Sequence, residues 1–395
     1  MAWRERSSMD ERVQFIADYL TGGWTVTELC RRYGVSRPTG YQLIARYEAE
    51  GVAGLAPRSR RPHTSPQAIA PPLAGAIVAL RTRHPDWGPV KLIDALRLRA
   101  PAEAWPAPST AGALLKARGL ITERRRRRPR PPSERPTTLM TTPNAVWSID
   151  FKGEFRTRDA AWCYPLTVMD GCSRYVLACQ ALRSTAREPV QAVLTRVFRE
   201  YGLPTRIRSD NGVPFAGATA LARLSRLSVW WIRLGIEPER IQPGCPAQNG
   251  RHERMHRTLK RRTTRPPAGN QAAQQRRFTA WRREYNEERP HAALNAVTPA
   301  MVYVPSLRVF PATLAPITYP GHFERRRVAS NGCMKWRNRW VSVSDVLVHE
   351  DIGLEELADG IWAVHFGPVR LGTLDEQSGR IRSGRDADAL GADAR

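Results

Sequence analysis

Acidic side chains are scarce in this chain. Of its 395 residues, 37 are Asp or Glu against 62 Lys or Arg, a formal charge of +25, which leaves a polyanion as the natural partner and nucleic acid as its first form. Long apolar runs are missing: none approaches the ~18 residues of a membrane span, and the opening Met1-Ala2-Trp3-Arg4-Glu5-Arg6 has no signal-peptide core. A cytoplasmic protein with no membrane partner is expected. Cysteine is sparse as well. Cys30, Cys163, Cys172, Cys179, Cys245 and Cys333 are scattered with no C-x-x-C pair, which argues against a zinc ribbon or a disulfide framework and predicts buried thiols.

What is present divides into several domains, as the length allows. In 1–56, the stretch Thr25-Val26-Thr27-Glu28-Leu29-Cys30-Arg31-Arg32-Tyr33-Gly34-Val35-Ser36-Arg37 reads as a helix, a break at Gly34, and a Ser36 N-cap opening a second helix to about Tyr47. Leu29, Val35, Leu43 and Ile44 supply the buried contacts of this helix-turn-helix unit. Arg37, Tyr41 and Gln42 are left facing outward, where a recognition helix meets base edges. Residues 57–66 read as a basic linker extended by prolines. A second trihelical, helix-turn-helix-like domain is expected over 67–122, with helices at 74–83, from Gly88-Pro89 to about Leu98, and from Ser109-Thr110 to Gly119, and Trp87 as its anchor. Within the Arg/Pro-rich linker 123–142, Arg124, Arg125, Arg126, Arg127 and Arg128 form a charge run with no apolar face, unfolded when free and placed to track DNA phosphates.

From Pro143 the pattern turns to strands. Val146–Phe155, Ala161–Asp170 and Tyr175–Ala181 make a meander with a turn at Asp170-Gly171, where Asp170 reads as a turn former. A helix at 187–201, a strand at 206–209, a helical stretch over 218–234, a strand near 239–242 and a further helix complete an α/β order that predicts a mixed sheet covered on both faces. Three carboxylates stand out in it. Asp150 lies on the first strand, Asp210 follows the fourth at the turn Asn211-Gly212, and Glu253 opens the last helix behind Asn249 as its N-cap. Carboxylates on rigid elements suit a phosphoryl-transfer site, because two Mg²⁺ ions roughly 3.5–4 Å apart clamp the attacking and leaving oxygens, and Mg²⁺ takes hard oxygen ligands.

At this point the residues carry a resemblance. Trp147-Ser148-Ile149-Asp150, Ser209-Asp210-Asn211-Gly212, Asn249-Gly250-Arg251-His252-Glu253-Arg254-Met255-His256-Arg257-Thr258-Leu259-Lys260 and Tyr285-Asn286-Glu287-Glu288-Arg289-Pro290-His291 resemble the integrase core of DDE insertion-sequence transposases, over roughly residues 20–305. The resemblance implies a ribonuclease-H-like core with a mixed five-stranded sheet over 143–304. It implies that Asp150, Asp210 and Glu253 are the catalytic metal ligands, holding two Mg²⁺ ions with Mn²⁺ as a substitute. DNA contacts are implied for Asn249, Arg257 and Lys260; Lys260, seven positions past Glu253, shares its helix face. The implied function is binding the terminal inverted repeats of a mobile element, cleaving the ends by metal-dependent hydrolysis, and joining the 3′-OH ends to target DNA, by a homodimer or higher oligomer on DNA and without ATP. One departure is visible: the 42 residues between Asp210 and Glu253 exceed the spacing of many relatives, with the excess expected in 216–233. The zinc-binding His-His-Cys-Cys module of retroviral integrases is absent, and helix-turn-helix units take its place.

Rival readings exist. His252-Glu253-x-x-His256 matches the H-E-x-x-H signature of zinc metalloproteases, but no further ligand follows at metzincin spacing, and Arg251, Arg254, Arg257, Arg261 and Arg262 crowd the helix. As structural residues the two histidines would lie on an exposed face near DNA. A non-catalytic DNA-binding regulator or an inactivated transposase copy is the other alternative. After a linker at 305–321, six or seven short strand-like segments over 322–382 predict a small β-barrel. From Glu376 the composition turns to Gly, Ala, Asp and Arg, and an unordered tail is expected, 383–395 above all.

Overall fold

The computed structural model describes residues 8–57, 68–121, 138–217, 220–242 and 245–382. The basic linker from Arg58, the run Arg124–Arg128 and the tail 383–395 lie outside the described residues. The chain divides into two compact units, 1–69 and 70–395.

The first unit is helical: α1 (Ser8–Leu20), α2 (Val26–Arg32) and α3 (Arg37–Glu50). Thr25 and Glu28 close a capping box at the start of α2, and the Ser36 hydroxyl accepts from the Thr39 amide at 3.4 Å to start α3. Gly34 makes the turn between them with φ +63°, a left-handed conformation that favours glycine. Phe15, Ile16, Leu29, Leu43, Ile44 and Leu55 form the core, with Val35 at its edge.

In the second unit, α4 (Pro71–Arg83), α5 (Pro89–Arg99) and α6 (Pro108–Ala117) each open on a proline in the first turn, where the missing N–H costs nothing. They close over Trp87, which is fully buried and stacked on His84 with ring centroids 3.9 Å apart. Next come β1 (Val146–Phe151), β2 (Phe155–Arg156), β3 (Trp162–Asp170), β4 (Val176–Leu182), α7 (Arg187–Tyr201), β5 (Arg206–Ser209), α8 (Arg226–Arg233), β6 (Glu237–Arg240), α9 (Gly250–Thr263) and α10 (Gln271–Arg283). A π-helical turn, Glu284–Glu288, and the short α11 (Pro299–Val302) follow.

Strand β1 is central: it pairs antiparallel with β3 and parallel with β5, β4 joins β3, and β6 runs parallel to β5. The five principal strands make the expected mixed sheet, and the two-residue β2 adds a sixth at β3. Alternation along β1 decides what each face sees. Trp147 and Ile149 enter the core under α7 and α8, while α9 and α10 cover the opposite face through Met255, Leu259, Phe278 and Trp281. Ser148 and Asp150 therefore point toward α9.

The C-terminal part differs from the expected barrel. It comprises β7 (Glu324–Arg327), β8 (Cys333–Trp336), β9 (Arg339–Ser342), β10 (Asp351–Ala358), β11 (Ile361–Phe366), β12 (Val369–Asp375) and β13 (Arg380–Arg382). These form an open antiparallel sheet in the order β13-β12-β11-β10-β7 and a separate β8-β9 hairpin, with no pairing between β13 and β7 to close a barrel. The segment at 345–347 is a 3₁₀ turn, and Arg380–Arg382 pairs with β12 where an unordered tail is expected. The long Asp210–Glu253 interval serves this sheet: Leu224, Val229 and Ile232 share its core, and Arg233 pairs with Glu350 at 2.8 Å. Of the cysteines, Cys30, Cys163 and Cys179 are buried, whereas Cys172, Cys245 and Cys333 are partly exposed.

Candidate active site

The parallel pairing of β1 with β5 aligns Ser148 with Arg208. Asp150 and Asp210 each lie two residues further along, so the two carboxylates leave neighbouring strands, ~4.8 Å apart, at the same level. Asp210 is held in a turn by the Gly212 amide, which donates to Oδ1 at 3.0 Å. Arg208, 3% exposed, pairs with Glu239 at 2.9 Å and donates to the Gln248 carbonyl at 3.3 Å. That contact fastens the loop before α9 to the sheet and brings Glu253, in the first helical turn, across from Asp150.

Asp150, Lys152, Glu253, His256, Arg257 and Lys260 line a cleft of about 890 Å³. Asp210 is not part of that lining, yet its charge reaches Asp150. Burial first, then Asp210, and more weakly Glu253, push the Asp150 carboxyl up to about 7. An uncompensated group of carboxylate oxygens is the donor set that a hard divalent cation satisfies, so these residues fit one.

Behind Asp150 the two histidines of α9 are buried, not displayed on an exposed face. The Thr167 hydroxyl lies 2.7 Å from His252 Nε2, 2.7 Å from His256 Nε2 and 3.0 Å from the Asp150 carbonyl, and the Ser148 hydroxyl lies 2.7 Å from His252 Nδ1. One assignment fits these four contacts: Thr167 donates to the carbonyl, both rings donate through Nε2–H, and Ser148 donates to His252 Nδ1 in preference to the Met169 carbonyl 3.3 Å away. Burial holds His252 down at about 3 and His256 well below the usual imidazole range, so both are neutral at pH 7. His256 Nδ1 then stands 3.6 Å from Asp150 Oδ2. One oxygen of Asp150 and one nitrogen of each histidine lie within 4.8 Å of one another. Both nitrogens of His252 are nonetheless occupied by hydroxyls, which argues against the zincin arrangement of two histidines opening onto a metal. Thr167→Val strips the shared hydroxyl from three polar neighbours, and we expect a loss of about 1–3 kcal/mol in denaturant unfolding.

The other sequence-derived residues divide. Arg37, Tyr41 and Gln42 are exposed on α3. Arg257 and Lys260 line the cleft. Asn249 departs from expectation: it is 5% exposed and its side chain makes no cap bond, so it presents little surface to DNA. Asp170 is fully buried and holds its turn, accepting from Asn144 N, Ser173 N and Ser173 Oγ at 2.6–2.8 Å. Sequence reasoning missed Lys152, His256, Arg261 and Arg265 as cleft residues. The period-two rule from Asp150 to Lys152, and the one-turn step from Glu253 to His256, are the signals that find two of them.

Models of known families match in the same order as these elements. A helix-turn-helix domain matches residues 11–63, a homeodomain-like domain 39–115, and two models described as integrase core domain match 140–246 and 234–299. An uncharacterized 39.2 kDa protein of insertion element IS476 from Xanthomonas euvesicatoria is 27% identical over 280 residues, covering 70% of this chain and 78% of the relative. Residues 140–299 thus match the integrase core domain, behind helix-turn-helix domains, and the chain is similar to proteins of insertion elements. A second relative, an uncharacterized 31.7 kDa protein of IS407 from Burkholderia multivorans, is 30% identical over 190 residues, 47% of this chain and 65% of the relative. Among solved structures, the HTLV-2 integrase catalytic core domain in complex with magnesium matches 41% of this chain and 98% of its own at 13% identity, with a TM-score of 0.33.

Proposed function

We propose that the chain is a transposase that binds the terminal inverted repeats of its element, hydrolyses the DNA at the ends, and joins the exposed 3′-OH groups to target DNA. Support for this reading comes from Asp150 and Glu253 lining a cleft whose other charged side chains are basic, with Asp210 near enough for its charge to raise the Asp150 carboxyl. Asp150, Asp210 and Glu253 would hold two divalent cations, Mg²⁺ with Mn²⁺ as a substitute. Bound there, the ions would lower the barrier to attack at phosphorus by stabilising the attacking and leaving oxygens.

The protein's own part is positioning. Lys260, Arg257 and Lys152 neutralise the phosphates laid along the cleft, and the buried Thr167 network fixes the backbone of Asp150. In the first reaction water attacks the scissile phosphorus and the bond to the 3′ oxygen breaks, leaving a 3′-OH. In the second that 3′-OH attacks a target phosphodiester, and one P–O bond forms as another breaks, which is why no ATP is consumed. Holding two ends together calls for at least a dimer on DNA.

End recognition falls to α3. We expect nuclease footprinting on the DNA that flanks the coding sequence to show protection of imperfect inverted repeats. Replacing Arg37, Tyr41 and Gln42 with Ala should erode that preference by roughly 1–3 kcal/mol per lost base contact while non-specific binding persists. Equal protection of unrelated DNA by the native protein would contradict the proposal.

A further inference from the structure

Helix α9 has two working faces. Glu253, Arg257, Lys260 and Arg261 line the metal cleft. Arg251, Arg254 and Thr258, turned away from them by the ~100° step per residue, line a separate cavity of about 210 Å³. Lys91 of α5, Arg174 of the β3–β4 turn, and Arg289 and His291 beyond the π-helical turn complete its charged and polar wall, and none of the residues lining it is a carboxylate. The volume falls below the ~300–1,000 Å³ usual for small-molecule pockets, which limits an occupant to one small group.

Some of these cations are already engaged. Arg289 pairs with Asp86 at 3.2 Å, Lys91 donates to the Pro290 carbonyl at 2.6 Å, and Arg251 donates to the Gly171 carbonyl at 2.7 Å. Arg174 and Arg254 have no carboxylate within ion-pair distance among the described residues, and Asp170 beside Arg174 is consumed by its turn. Arg174 is held there by a left-handed backbone, φ +66°, a conformation that favours glycine. His291 Nε2 is buried without a partner. Burial and the neighbouring arginines pull Arg174 down to about 10, and burial with Arg289 pulls Lys91 down to about 8. Arg174 and Arg254 bring spare donors to this partly buried set of like charges, and paired guanidinium forks match a phosphate.

We propose that this cavity binds a backbone phosphodiester of DNA, at a phosphate site separate from the metal cleft and set by Arg174, Arg251, Arg254 and Arg289. The site rests on the DNA-joining reading and gives the Tyr285–His291 motif a role. Asn286 joins that segment to β4 through Val176 N and O at 2.8 and 3.0 Å, while Arg289 and His291 face the phosphate. Because Arg251 and Arg254 flank Glu253 on one helix, a phosphate held behind α9 sets the register of the strand that crosses in front.

The test is the salt dependence of binding to non-specific duplex DNA by the full chain, Arg174→Gln/Arg254→Gln, and a control pair, Arg276→Gln/Arg380→Gln. We expect the pocket pair to bind more weakly and its log–log salt slope to be shallower by about 0.9, one phosphate contact, with a smaller change in the control. Should the pocket pair fail to fold, Arg254→Gln alone, at an exposed position, is read the same way. Equal slopes for pocket and native protein, or an equal change in the control, overturn the proposal. So does stabilisation of the native chain but not the pocket pair by orthophosphate while the DNA slope stays unchanged, the mark of a site for a free small anion. A shifted slope without strand joining supports the phosphate site and counts against the joining reading alone; joining with an unshifted slope does the reverse.

Discussion

Asp150→Asn, Asp210→Asn and Glu253→Gln should each lower end cleavage and strand joining by about 10³-fold or more while DNA binding stays nearly intact. The magnitude follows from several kcal/mol of metal stabilisation at phosphorus and ~1.4 kcal/mol per tenfold in rate. Each substitution keeps side-chain shape and removes the charge that, on the proposed function, would ligate the cation. The triple substitution should be little worse than any single one, because the three act as one unit. Cleavage assays with Mg²⁺ and with Mn²⁺, set beside gel-shift binding, measure both arms. Zinc content measured in parallel separates this from the H-E-x-x-H reading, under which Asp150 and Asp210 would be dispensable.

The second large effect is on stability and metal affinity as a function of pH. The Asp150 carboxyl is raised in the fold to about 7 from an ordinary 3.8. The folded state thus binds this proton more tightly than the unfolded one, so the stabilisation is fully present below pH 3.8 and is lost as pH rises through about 7. A divalent cation must displace the proton, so its affinity should rise by about tenfold per pH unit below that value and level off above it. Thermal unfolding with and without Mn²⁺ should accordingly show a larger metal-induced rise at about pH 8 than at about pH 5. In Asp150→Asn this contribution to the pH dependence and most of the metal response should vanish. A metal response independent of pH would mean that Asp150 is already ionised.

How far the sequence announces these features depends on whether their causes are local. The Ser36 cap and Gly34 turn are local chemistry, and so is the alternation that sends Ser148 and Asp150 to the side opposite Trp147. The carboxylate positions on a strand, after a strand and in a first helical turn are legible for the same reason. Barrel closure is not, since short alternating segments give strands without partners, and only the structure leaves β7 and β13 unpaired with each other. The arginines around His252 and His256 suggest a solvated face, but tertiary packing against Thr167 buries both rings. The cationic cavity is the least legible feature, because Lys91 and Arg289 meet across almost two hundred positions of chain.

The most direct test of the account is a joining reaction with purified protein, labelled duplex carrying the DNA that flanks the coding sequence, unlabelled target DNA and Mg²⁺. The account predicts labelled 3′ ends covalently joined to target without ATP, with the product lost on chelation and in Asp150→Asn. Joining that survives chelation, or that proceeds at the native rate in Asp150→Asn, would contradict it.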